Sequence, residues 1–203
     1  MRFPNPAPRS GVASGVLGGE LYVIGGTVNR QADLIKSTVE AYNPQTNTWR
    51  TEVLIPTPRL FAGAGVADDT LYVVGGYPAL AVNEAFSPFL PIPIDIKPGD
   101  ANNTINLRSR GVIVVAILST AEFGATTVDL GRVTLAGAPV ATQGRGTPMT
   151  SVADLNRDGR LDLLLHFRTQ DLELDPASTE AVLKGRTFSG QLIRGVDSIR
   201  LVP

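Results

Sequence analysis

The run Asp154-Leu155-Asn156-Arg157-Asp158-Gly159-Arg160-Leu161-Asp162 puts oxygen side chains at positions 1, 3, 5 and 9, with glycine at 6. Alternation aims Asp154, Asn156 and Asp158 at one point. Gly159 permits a sharp turn, and the carbonyl of Arg160 supplies an oxygen at position 7. Calcium takes six to eight hard oxygen ligands in flexible geometry, so this is a calcium-type donor set. The glutamate usual at position 12 is replaced by Leu165. Asp162 would have to close the site instead. The alternative is a solvated Asp-Gly hairpin turn, with Arg157 and Arg160 relieving the repulsion between carboxylates. The expected metal ligands are therefore Asp154, Asn156, Asp158, Arg160 through its carbonyl, and Asp162. The expected role of the ion is structural.

Other chemistry has little to build with. There is no cysteine, and His166 is the only histidine. Thiol chemistry, Cys-based zinc sites and the common Ser-His-Asp constellation lack their parts. His166 alternates with Leu165 and Phe167 on a strand pattern, where a packed or surface histidine is the default. Asp95, Asp100 and Asn102 fall in a turn-rich stretch, as turn caps or extra calcium ligands. The 18 Lys and Arg are scattered and the net charge is −1, which argues against nucleic acid as a partner. No segment is long and apolar enough to span a bilayer. The start Met1-Arg2-Phe3-Pro4-Asn5-Pro6 is not followed by the apolar stretch of a leader peptide.

The elements that must hold these residues are strands. The 203 residues are 43% hydrophobic and 18% charged, with 21 glycines and 15 prolines. That composition favours a turn-rich all-β chain of one or two domains. The first half repeats at an offset of fifty. Leu21-Tyr22-Val23-Ile24-Gly25-Gly26 returns as Leu71-Tyr72-Val73-Val74-Gly75-Gly76, Pro8-Arg9 as Pro58-Arg59, and Gly15-Val16 as Gly65-Val66. Each unit reads as short strands. In the first these are 12–17, 21–24, 38–42 and 48–51, with a Gly18-Gly19 hairpin turn matched later by Asp68-Asp69.

Gly25-Gly26, Tyr42 and Trp49, with Pro58-Arg59 opening the next unit, resemble the kelch repeat. That resemblance implies blades of a β-propeller over residues 1–87. The second unit departs from the pattern. Gly76 to Glu84 spans 8 residues where Gly26 to Glu40 spans 14, and the later tryptophan is missing. One full and one partial blade are expected. Two blades cannot close a ring, so the expectation is part of a longer chain, or assembly with other chains.

Residues 88–93 are Pro-rich and read as a linker. From 94 to 203 the expected strands are 92–96, 104–107, 112–118, 128–135, 161–167, 180–183 and 198–202, a pattern that fits a β-sandwich. The pieces Ile94-Asp95-Ile96-Lys97-Pro98-Gly99, 111–118, the acidic loop and Asp197-Ser198-Ile199-Arg200 resemble a β-rich module of bacterial secreted and surface proteins. The loop itself is similar to those of dockerins and integrin propellers. Both resemblances imply a secreted or surface location.

Two functional classes follow. One is a non-enzymatic extracellular binding protein, with kelch blades as the recognition surface for a protein or glycan and a calcium-stabilised sandwich. The other is the C-terminal part of a secreted propeller enzyme with its catalytic residues upstream. Kelch-type propellers include the copper-dependent galactose oxidases, whose chemistry needs a Tyr–Cys crosslink and histidine ligands. This chain has no cysteine and a single histidine, so the non-enzymatic reading is preferred.

Overall fold

The computed structural model describes residues 4–28, 34–79 and 81–202. Met1, Arg2 and Phe3, where the leader-peptide reading began, lie outside the described residues. The chain divides into two compact units, Met1–Pro88 and Phe89–Pro203. No helix among the described residues is long and apolar enough to cross a membrane.

The first unit holds two small antiparallel sheets. Strands β1 (Ala13–Leu17), β2 (Glu20–Ile24), β3 (Val39–Asn43) and β4 (Thr48–Thr51) pair in chain order. Strands β5 (Gly63–Ala67), β6 (Thr70–Val74) and β7 (Asn83–Phe86) form the second sheet. Gly18 and Gly19 close the β1–β2 hairpin with φ of 60° and 77°. Asp68 and Asp69 do the same for β5–β6 at 46° and 59°. Two consecutive positive φ values match the right-handed twist of the flanking strands, which is why Gly and Asp occupy these turns.

Pairing fixes the two faces of each sheet. Gly15, Tyr22 and Ala41 lie in register on one face of the first sheet; Val16, Leu21 and Tyr42 lie on the other. In the second sheet Gly65, Tyr72 and Ala85 share one face, and Val66, Leu71 and Phe86 the other. The first face of sheet one packs on the second face of sheet two. A Cβ added at Gly15 would run into the Leu71 side chain, and the rings of Tyr22 and Phe86 lie 5.5 Å apart. Tyr22, Ile24, Leu71 and Val73 are buried there.

The second unit begins with β8 (Leu90–Pro91), β9 (Ile94–Ile96), β10 (Thr104–Asn106) and β11 (Val112–Ile117). Short strands follow: β12 (Thr134–Leu135), β13 (Ala138–Pro139), β14 (Thr142–Gln143), β15 (Thr147–Pro148) and β16 (Thr150–Ala153). Three long ones come next, β17 (Asp162–Arg168), β18 (Glu180–Arg186) and β19 (Leu192–Ser198), and the short β20 (Arg200–Val202) ends the unit. One sheet runs β16-β17-β11-β9 and another β13-β12-β18-β19-β8. Both feed one apolar cluster, with Ile96, Val115, Leu165 and Phe167 from the first and Leu135, Leu183 and Ile193 from the second. β11 lies inside its sheet, as its unbroken apolar run requires.

Three expectations need correction here. The 88–93 stretch is not a free linker: Leu90 and Pro91 pair in parallel with β19, and Ile92 is buried in the core. The 128–135 strand shrinks to Thr134–Leu135, preceded by 3-10 turns at Ala125–Thr127 and Leu130–Arg132. Asp129 accepts the Gly131 N–H and so offers the backbone a local alternative to the ladder. β19 was not expected, because Arg194, Gly195 and Asp197 interrupt its apolar pattern.

Candidate functional site

The acidic loop connects β16 to β17. Asp154 accepts the N–H of Asp158 at 3.1 Å and of Gly159 at 3.0 Å. Asn156 Oδ1 accepts the Asp158 N–H at 3.1 Å. Asp158 accepts the N–H of Arg160 at 2.9 Å, and its other oxygen meets the Arg160 guanidinium at 3.2 Å. The Arg160 N–H first, then Asn156 and the Arg160 guanidinium, hold the Asp158 carboxyl below its ordinary range. The loop thus curls around its own N-terminal oxygens.

Asp162 stands apart from these. It is fully buried at the start of β17 and accepts the N–H of Ser119 at 2.8 Å and of Leu155 at 2.9 Å. Ser119 in turn donates its hydroxyl to Leu161 O and accepts the Ala125 N–H. Asp162 therefore ties the acidic loop to the segment after β11. Sequence reasoning missed Ser119, which lies 43 residues from its partner with no spacing to mark it. Four of the five expected ligands share the loop and Asp162 begins β17, and among the described residues no three of His, Cys, Asp and Glu are gathered as a ready metal site. The donors themselves are all hard oxygens, which suits calcium and no softer ion.

The other expected positions have structural roles. His166 places Nδ1 at 3.1 Å from Met149 O, so that nitrogen donates and the ring is fixed. Asp100 takes the Lys97 ammonium and the N–H groups of Asn102 and Thr104, which hold its carboxyl down at about 2. It is a turn cap. The Lys97–Asp100 turn borders an open hollow of about 480 Å³ floored by Val112, Val114 and Leu164. Lys97 is already engaged by Asp100 and Thr104 O.

In the first unit the buried charges are paired in a repeating way. Arg9 donates to Gly25 O and Ala7 O and meets Glu40 at 2.9 Å. Arg59 donates to Gly75 O and Thr57 O and meets Glu84 at 2.8 Å. Glu20, also buried, is held by Arg50 and by Asn43 at 2.9 Å. Burial pushes the neighbouring Tyr22 phenol well above its ordinary value. The Tyr42 and Trp49 rings lie 5.0 Å apart, tilted by 37°, on the face away from the second sheet. The arginine clamps went unread in the sequence, although both their ends repeat: the arginine at an offset of fifty, the carboxylate in Glu40-Ala41 and Glu84-Ala85.

The family model for the Kelch motif matches residues 8–52. Among curated relatives, the chain is 41% identical over 70 residues to Kelch-like ECH-associated protein 1B of Danio rerio, covering 34% of this chain and 12% of that protein. It is 40% identical over 60 residues to Kelch-like protein 33 of Homo sapiens, covering 30% of this chain and 11% of that one. The matched stretch thus spans about an eighth of these relatives' length. Among solved structures, a fungal alcohol oxidase of the AA5 family, in complex with copper, aligns over 98% of this chain and 44% of its own, at 15% identity and a TM-score of 0.40. The first unit of the chain carries a kelch-repeat segment.

Proposed function

We propose that the chain is a non-enzymatic extracellular binding and structural protein. Its kelch repeats present a recognition surface for a protein or glycan partner. Its second unit is a β-sandwich braced by one calcium ion. The kelch-repeat segment carries the binding half of this reading. Arginine holds each of the carboxylates Glu20, Glu40 and Glu84, so these serve the framework rather than acid–base chemistry.

The calcium half rests on the oxygen-only donor set of Asp154, Asn156, Asp158, the Arg160 carbonyl and Asp162. Calcium would supply charge neutralisation at this loop. To take part, Asp158 must exchange its contact with the Arg160 guanidinium for the ion. Binding to the folded form alone would stabilise the second unit by mass action. Calorimetric titration of the whole chain with calcium, alongside thermal melts with and without chelator, tests this. One saturable site and a raised melting temperature are expected, with most of the affinity lost in Asp158→Ala. Unchanged affinity in that variant, or no binding at all, refutes the calcium brace.

A further inference from the structure

We propose that the second unit binds an anionic polysaccharide, one whose sugar rings carry carboxylates, on the outer face of its β16-β17-β11-β9 sheet. Alternation defines this face. Ile113, Val115 and Ile117 of β11 belong to the core, so Val112, Val114 and Ala116 line the other side. Opposite them on β17 stand Arg168, His166 and Leu164. The face therefore runs from Arg168 and Val112 at one end, through His166 and Val114, to Leu164 and Ala116. Asp95 follows beside Ala116 on β9.

Arginines gather at the first end. Arg168 lies directly across from Val112, about 5 Å away between Cα atoms. Arg110 comes two residues before Val112, and the Gly111 carbonyl between them accepts the Thr169 N–H at 3.1 Å. The Arg168 guanidinium reaches Thr142 O at 3.4 Å. Three residues beyond Thr142, and so at most about 10 Å from it, Arg145 occupies the tip of the β14–β15 hairpin. All three arginines are exposed, and among the described residues none of them has an ion pair. Beside them lies the hollow of about 480 Å³ over Val112, Val114 and Leu164. The carboxylate at its rim, Asp100, is taken up by Lys97 and two N–H groups.

The chemistry of the face selects its occupant. Guanidinium forks match carboxylates and give up water readily. An aliphatic floor next to them suits a ligand that pairs C–H ring faces with carboxylates, as a uronic acid chain does. An extended peptide would draw its affinity from a main-chain ladder on an open sheet edge. β11 and β17 lie inside their sheet, with strands on both sides, so this face offers no such ladder. Single-stranded nucleic acid stacks its bases on aromatic side chains, and none lines the hollow. Asp95 repels an anion at the far end, so the chain runs from the hollow over Arg168 toward Arg110 and Arg145. The site depends neither on the kelch segment nor on calcium.

Calorimetric titration of the whole chain with the hexamer of galacturonic acid, in chelator, tests it. Saturable binding is expected, weakening as salt rises. Arg110→Gln and Arg168→Gln should each weaken it about tenfold, the loss of one charge-assisted contact. Val112→Asp, at a position 40% exposed, sets a carboxylate among the arginines and should abolish it. Arg132→Gln removes an exposed arginine from the 3-10 turn before β12 and should leave binding unchanged. Thermal melts check that each variant is folded. The neutral hexamer of glucose should not bind. Absence of galacturonate binding overturns the proposal, and so does an equal loss in Arg132→Gln, which would mean attraction to any surface cation. Tighter binding to polyglutamate or to vesicles of anionic phospholipid also overturns it, and would assign the face to an acidic protein segment or a membrane.

Discussion

Arg59 Nη2 lies 2.8 Å from Glu84 Oε1, repeating the contact of Arg9 with Glu40 in a unit whose connecting loop is much shorter. Both arginines also donate to the carbonyl of the first glycine in their Gly-Gly pair. The clamp therefore fixes the third strand against the second whatever the loop between them does. Arg59 is 1% exposed, and removing one partner of a buried pair strands the other charge. Arg59→Met should cost about 3–5 kcal/mol, and adding Glu84→Gln should recover part of it. Trp49 is the only tryptophan and lies in the first unit, so its fluorescence during urea unfolding reads the effect.

Gly19 and Gly25 have similar φ, 77° and 65°, but different surroundings. A Cβ at Gly19 meets nothing within 4 Å, whereas at Gly25 it would strike the backbone carbonyl of Arg59. Left-handed backbone alone costs an L side chain roughly 1–2 kcal/mol. Gly19→Ala should lose about that much. Gly25→Ala should lose distinctly more, since Arg59 O also accepts the Gly26 N–H and cannot retreat freely. Equal losses in the same urea experiment would mean that the close approach carries no weight.

Asp162 is a buried brace as well as an expected ligand. Asp162→Ala strands the N–H groups of Ser119 and Leu155, at about 1–3 kcal/mol for each that stays dry. The loss should therefore appear in thermal melts with chelator present. Asp158→Ala, in an exposed stretch, should lower the chelator melt much less than Asp162→Ala does. If Asp162→Ala is silent in chelator, its carboxylate acts only through an ion.

Local signals made the first unit legible. Its strands follow alternation and two-residue turns, and the fifty-residue offset sets one sheet against the next. What escaped the sequence was carried by distant partners. β19 is broken in pattern by Gly195, yet that glycine is needed because Ile94 packs where a side chain would stand. The 128–135 stretch has strand-forming residues, but Asp129 and Gly131 turn it into a capped 3-10 turn. The acidic loop was visible as a donor pattern. That Asp162 points at Ser119 was not, because a buried carboxylate finds its N–H donors through the fold rather than through spacing.

Acid should separate the carboxylates by sign. Asp100 is held at about 2, below its ordinary 3.8, by Lys97 and the N–H groups of Asn102 and Thr104. A depressed group gives its full stabilisation above 3.8 and loses it as pH falls toward about 2. Asp158 is depressed as well and acts in the same direction. Asp95 is raised, by burial and then by the nearby Asp197, so its charged form disfavours the fold. Its unfavourable contribution is complete above its folded value and disappears as pH falls through that value. Asp100→Asn should thus melt below the parent at neutral pH, with the gap closing between 3.8 and about 2. Asp95→Asn should melt above the parent at neutral pH, with its gap closing as Asp95 protonates. Thermal melts of the three proteins from neutral pH down to about 2 check both signs, the Asp95 gap closing above 3.8 and the Asp100 gap below it, and a gap that is flat with pH would show that the group concerned does not titrate with folding.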